Sequence, residues 1–227
     1  MLKMCGESLP SFGDRLALIL VLGVFMLFIQ ATKNLSGLSI WGNTDTLRAL
    51  RELMGKLLED TSFFKHQKLV DELYSIPYEI RKAYEGHRHQ EKHKDFQDNE
   101  YSLYGSECLL PLFLILIAMM RQSMSFNVNN KYELSLMYYL EYQMEKEIKK
   151  YFPKYSDEII ELLPVIAALD QNVIFEKLPS RCNYFVSLKT VKEKEKMLLP
   201  VLKSFMPYYK NPKLDFSINE YPNQIKW

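Results

Sequence analysis

Between Leu109 and Met120 the chain reads Leu-Leu-Pro-Leu-Phe-Leu-Ile-Leu-Ile-Ala-Met-Met, 12 residues without one polar side chain. A helix that is apolar on every face has to be surrounded, either by other helices or by lipid. Crossing a bilayer takes roughly 20 residues, so a stretch of this length predicts the buried central helix of a globular core. Ser106 is the expected cap, Pro111 sets the start because it has no amide to donate to an interior turn, and Arg121 and Gln122 mark the return to water. A helical bundle built around a helix at about 107–121 follows. The stretch is silent about function.

The rest of the composition agrees with a packed domain. With 48% apolar residues among 227, the chain can fill a sizeable core. Lysine plus arginine (29) balances aspartate plus glutamate (28), which excludes a global field that would draw in nucleic acid or anionic lipid. Three cysteines, Cys5, Cys108 and Cys182, are an odd number spaced far apart, the pattern of free thiols in a reducing compartment. The expected location is the cytoplasm.

The N-terminus admits three readings. Leu16 to Ile29 is an apolar run preceded by Lys3 and Arg15, the shape of a secretory signal core. Residues 16–31 also suit a tilted membrane anchor with its basic flank in the cytoplasm. The favoured reading starts the folded domain near Met26 and leaves 1–25 as a leader or upstream extension. It is favoured because Leu27–Thr32 and Leu38–Trp41 are β-prone runs flanking the turn formers Lys33-Asn34-Leu35-Ser36-Gly37, a β-hairpin pattern.

Helical patterns dominate from there. Leu47, Leu50, Leu53, Met54, Leu57 and Leu58 predict an amphipathic helix over 45–59, its apolar face toward the 109–120 helix. A second helix after Thr61-Ser62 is broken at Pro77 and resumes to Gly86, a C-terminal stop. Residues 87–100 are almost wholly polar and are expected to form an exposed loop. Asn130 with Glu133 and Thr190 with Glu193 have capping-box spacing for two further helices, the first ended by Pro153. Ser156 is placed as the cap of a helix over 157–169, and Tyr184–Leu188 as one further short strand. The lysines between Lys189 and Lys196 alternate with Glu193 and Glu195, the composition of a solvated face. The expectation is a mainly α, α+β fold: a single domain over 26–206 with an irregular tail at 207–227.

Catalytic signatures are mostly missing. The sequence holds no phosphate loop, no dinucleotide fingerprint, no His-Glu-x-x-His, no nucleophile elbow and no Cys-x-x-Cys, so no cofactor is assigned. His87, His89 and His93 are residue types that bind metal, but they lack an established ligand spacing, and no metal site is assigned.

Two groups of motifs occur in a recognisable order. Gly37-Leu38-Ser39-Ile40-Trp41-Gly42 is followed by Leu47-Arg48-Ala49-Leu50, and Ile80-Arg81-Lys82-Ala83-Tyr84-Glu85-Gly86 by Leu110-Pro111-Leu112-Phe113 ending at Arg121. Over about residues 27–150 the chain resembles a family of small bacterial proteins known as a domain of unknown function. That resemblance implies a fold and carries no assigned activity.

Two functional readings follow. The first is a non-enzymatic module that binds a protein partner or itself, with Trp41, Arg48, Arg81, Tyr84 and Arg121 as residue types that anchor interfaces. The second rests on Arg81 and His87, whose spacing looks like the Arg-x(4-6)-His motif of helical bacterial ribonucleases of toxin and antiphage systems. In a metal-independent ribonuclease of that kind histidine moves the proton and arginine steadies the charged phosphorus centre. RNA is a partner only under this second reading, and a membrane only if residues 16–31 are retained as an anchor.

Overall fold

The computed structural model describes residues 26–94, 98–212, 214–217 and 225–227. Its strands are β1 (Leu27–Ala31), β2 (Gly37–Gly42), β3 (His89–Lys94) and β4 (Glu100–Leu109). Its helices are α1 (Thr44–Leu58), α2 (Gln67–Leu73), α3 (Ser75–Lys82), α4 (Leu110–Ser123), α5 (Lys131–Tyr151), α6 (Ser156–Ala167), α7 (Gln171–Ser187) and α8 (Val191–Lys203). The fold is α+β, a helical assembly with one antiparallel sheet in the order β1-β2-β4-β3.

The expected hairpin is the start of that sheet. Leu27 faces Gly42 and Ala31 faces Leu38 across β1 and β2. Thr32 closes the turn, its amide donating to the Gly37 carbonyl at 3.0 Å, while Leu35 takes a φ of 52°. Strand alternation then sorts the faces. Leu27, Ile29, Leu38, Ile40, Ser106 and Cys108 point inward and are buried against the helices. The outer edge of β1 is guarded by α5, where the Glu147 carboxylate accepts from the Ala31 amide at 2.8 Å.

The polar segment expected to be a loop instead supplies the other half of the sheet. Residues 89–94 form β3, paired with β4 from His89–Gly105 to Lys94–Glu100. As an edge strand exposed along nearly its whole length, β3 has no face that needs apolar side chains, so its sequence carries no hydrophobic alternation. β4 runs straight into the central helix. Ser106 therefore lies inside β4 opposite Ile40 and caps nothing; Leu109 occupies the N-cap position of α4 without a side-chain cap, and Pro111 sits in its first turn.

Helix α4 is buried over Leu110–Met120 and packs against α1, α6 and α7 on one side and the sheet on the other. The Ser123 hydroxyl ties its end to α1 by donating to the Leu57 carbonyl at 3.0 Å. α2 and α3 break at Tyr74, one turn before Pro77, whose missing amide and bulky ring cannot accommodate the Leu73 carbonyl. A single π-helical turn, Ala83–His87, ends α3 at Gly86 with φ 82°.

Both capping boxes form: Asn130 with Glu133 opens α5, and Thr190 with Glu193 opens α8. Ser156 is already the first residue of α6, after Tyr155 at the cap. The expected strand at Tyr184–Leu188 is absent; Tyr184 to Ser187 are the last turn of α7. Its β-prone composition reflects burial, since Asn183, Tyr184, Phe185 and Val186 are all enclosed, and tertiary packing overrides local propensity.

One lysine of the polar α8 start is not solvated. Lys194 is only 2% exposed, and its ammonium donates to the Asn34 carbonyl at 3.0 Å and the Ser36 hydroxyl at 2.7 Å, pinning the β1–β2 turn. The described end of the chain returns to the same turn, where the Asn34 amide donates to the Trp227 carbonyl at 2.7 Å. Residues 1–25, which hold most of the apolar run and Cys5, lie outside the described residues; the last three residues of that run, Leu27, Phe28 and Ile29, belong to strand β1. Among the described residues, no helix is long and apolar enough to cross a membrane.

Candidate functional site

The outer face of the sheet gathers the first group of candidate residues. Phe28, Trp41, Gly105 and His89 form one row across β1, β2, β4 and β3. Gly105 makes room for an indole. A Cβ at 105 would lie 2.5 Å from Cδ2 and Cε2 of Trp41, so the ring lies flat across β4 and its centroid comes within 6.0 Å of that of His89. Glycine inside a strand has this use: another group approaches the backbone closely.

Next to the indole is a hollow of about 260 Å³, lined by Phe28, Gln30, Trp41, Glu91 and Leu103. The neighbouring polar groups are paired along the same face. His89 lies 3.5 Å from the Glu107 carboxylate, and His93 lies 3.2 Å from Glu91 while stacking on Tyr101 at 5.6 Å. The result is an aromatic surface with carboxylates at its margin. Among the described residues no group of three histidine, cysteine, aspartate or glutamate side chains comes together that could hold a metal ion.

The other candidates fall into separate places. Arg48 of α1 lies over the Tyr84 ring at 5.8 Å, at the π-helical turn that packs on β3 and β4. Arg81 pairs with Glu85 at 3.8 Å and lies over Tyr78 at 5.2 Å. His87 is exposed, beyond the left-handed Gly86. Helix position thus turns Arg81 toward its own helix surface.

Arg121 belongs to a different surface. Its Nε donates to Glu141 at 2.7 Å, its Nη2 to the second oxygen of the same carboxylate, and its guanidinium lies 4.4 Å from the Tyr138 ring centre. The hydrogen bonds that Arg121 donates to the Glu141 carboxylate hold the guanidinium even more firmly protonated than usual. Beside this pair a hollow of about 210 Å³ opens between α4, α5 and α6, with Ile117, Met144, Ile160 and Leu163 in its walls. Tyr138 and Tyr142 on α5 are exposed, while Tyr139 packs against the core.

Sequence reasoning named Trp41 but missed Phe28, Glu91, Leu103 and Tyr101 as its company. The signal for Leu103 and Tyr101 was their alternation around Gly105; for Glu91 there was none apart from the pairing of β3 itself.

The architecture defines an α+β domain in which a four-stranded antiparallel sheet packs one face on helices and offers the other. The chain belongs to the family described as a domain of unknown function, DUF6904, whose family model matches residues 27–226. The match starts at the first residue of β1 and runs beyond α8, so it includes the whole sheet, the central helix and the last third of the chain. No curated protein and no solved structure matches the chain.

Proposed function

We propose that this chain is a non-enzymatic protein-interaction module that receives a partner segment on the outer face of its sheet. The observation that carries the reading is the Trp41 indole laid over Gly105 beside an open hollow walled by Phe28 and Leu103. A tryptophan beside a depression that Phe28 and Leu103 line with apolar surface and Gln30 and Glu91 with polar groups is the arrangement in which one inserted side chain can yield much of an interface's binding energy. The partner this chemistry fits presents a large apolar side chain to the hollow and a basic residue to Glu91. The buried unpaired thiols Cys108 and Cys182 support a cytoplasmic setting.

A photo-crosslinking residue at Gln30, introduced into the full chain in its own cells, tests this. The expected outcome is a discrete protein adduct, abolished by Trp41→Ala and not obtained from a control position at Tyr142. Adducts insensitive to Trp41→Ala would refute the surface, and an adduct of chain to chain would make the partner a second copy.

The alternative, a metal-independent ribonuclease using Arg81 and His87, has weaker support. Arg81 is engaged by Glu85 and Tyr78, and the hollows at the sheet, among α4–α6 and at the α5–α6 corner include neither residue. RNA cleavage by the purified chain, lost on His87→Ala, would reverse the preference.

A further inference from the structure

A third hollow lies at the junction of α5 and α6. There the chain reads Lys149-Lys150-Tyr151-Phe152-Pro153-Lys154-Tyr155, lysines interleaved with aromatics across the break that Pro153 enforces. Phe152, 3% exposed, closes α5 with its amide on the Ile148 carbonyl and anchors the turn in the core. The turn leaves a hollow of about 360 Å³, walled on one side by Lys150, Tyr151, Lys154 and Tyr155 and on the other by Glu195 and Lys196 of α8.

The electrostatics of this hollow are one-sided. Three lysines face one glutamate in its lining, although the chain as a whole is almost neutral. Among the described residues, neither Lys154 nor Lys196 has a carboxylate within 4 Å, and the Lys150 ammonium lies 3.9 Å from Glu147. Of the two acidic residues in the first turn of α6, Glu158 is already paired with Lys203. Each tyrosine ring already holds a cation over its face: the Lys150 ammonium is 4.6 Å from the Tyr151 centroid and the Lys154 ammonium 5.2 Å from that of Tyr155. Ammonium groups and flat π faces at one concavity are what a phosphate attached to a planar ring requires.

We propose that this hollow binds a mononucleotide, its phosphates between Lys154 and Lys196 and its base against one of the two tyrosine rings. The volume is that of a small-molecule site. A nucleic-acid strand would need a longer basic track than the three lysines that line this hollow. The site is independent of the sheet face, and neither reading depends on the other.

Calorimetric titration of the full chain with ADP, inorganic pyrophosphate and adenosine tests the proposal. ADP is expected to bind most tightly, pyrophosphate more weakly and adenosine weakest, with affinity for ADP falling as salt is added. Lys196→Glu is expected to lower ADP affinity at least about tenfold. Tyr155→Leu together with Tyr151→Leu is expected to reduce ADP binding to the pyrophosphate level while leaving pyrophosphate unchanged. Lys196 is exposed on α8, so its variant keeps the fold and remains informative if a turn variant does not fold. No saturable heat with millimolar ADP, or binding indifferent to Lys196→Glu, overturns the site. Affinity that grows with the length of an RNA oligomer overturns the mononucleotide in favour of a strand.

Discussion

Replacing Gly105 by alanine asks whether the outer sheet face is built as described. The added Cβ would meet Cδ2 and Cε2 of Trp41 at 2.5 Å and Cε3 at 2.7 Å, against an ordinary carbon contact of about 3.5–4.0 Å. Roughly 1 Å of overlap has to be relieved. β4 is held by strands on both sides, so the indole must lift away from the sheet and from His89. Overpacking of this kind costs about 1–3 kcal/mol. Alanine recovers about 0.5–1 kcal/mol of the entropy that glycine loses in a strand, and among the described glycines only Gly86 has a positive φ, so no backbone strain is added. The net expectation is a loss of about 0–2.5 kcal/mol, a fall in Tm of up to several degrees for a chain of this size. Thermal and urea unfolding measure the loss. Tryptophan emission reports the ring itself, in a Trp227→Phe background because the chain has two tryptophans. A double-mutant cycle isolates the contact: once Trp41 is alanine, Gly105→Ala should be neutral or stabilising. An unchanged cost in that background, or Gly105→Ala without loss of stability and with unaltered emission, would refute the placement of the indole on Gly105.

Three further outcomes follow from other parts of the molecule. Asn130→Ala removes the side chain that accepts from the Glu133 amide at 2.9 Å and should cost about 1 kcal/mol, read as a lower urea midpoint with unchanged slope. Burial holds the Lys194 ammonium below its usual lysine pKa, so the unfolded chain keeps that proton to higher pH than the folded one. Stability attributable to Lys194 should therefore rise with pH between its lowered folded value and the ordinary lysine region near 10.5. Urea midpoints of the wild type minus those of Lys194→Met should increase over that interval, and a difference that is flat or falling would contradict the burial argument. Cys108 and Cys182 are buried, and desolvation pushes both thiols far above the usual range; iodoacetamide should label neither until urea unfolds the chain, as read peptide by peptide in mass spectra.

How much of this was legible in the sequence depends on the distance over which each element is decided. Asn130 and Glu133 bond across three residues, and a box closed so locally is visible in one line of text. The all-apolar α4 was equally plain, because no neighbour could change what a helix without a polar face requires. Strand β3 was the opposite case. Its His-Gln-Glu-Lys-His-Lys sequence becomes a strand only because β4 offers a free edge, and an edge strand in water needs no apolar side chains to say so. Tyr184–Leu188 is a related case: its β-prone composition predicts a strand, but Tyr184 to Ser187 are helical and Tyr184, Phe185 and Val186 owe their apolar character to burial.

The same distinction governs the candidate site. Trp41 could be named from sequence as an interface type, but what it does depends on Gly105 and His89, which reach it only through the β2–β4–β3 pairing. Arg81 and His87 are close in sequence, but what surrounds each is set by the local backbone: Arg81 pairs with Glu85 on its own helix surface, while His87 follows the left-handed Gly86 and is exposed. Short-range motifs therefore predict well where the chemistry is short-range, as in caps. A binding face assembled from three strands is different in kind. Its strongest sequence trace is a small residue where a strand would otherwise carry a side chain, and Gly105 is that trace: it marks the place where something else, here the Trp41 indole, has to lie.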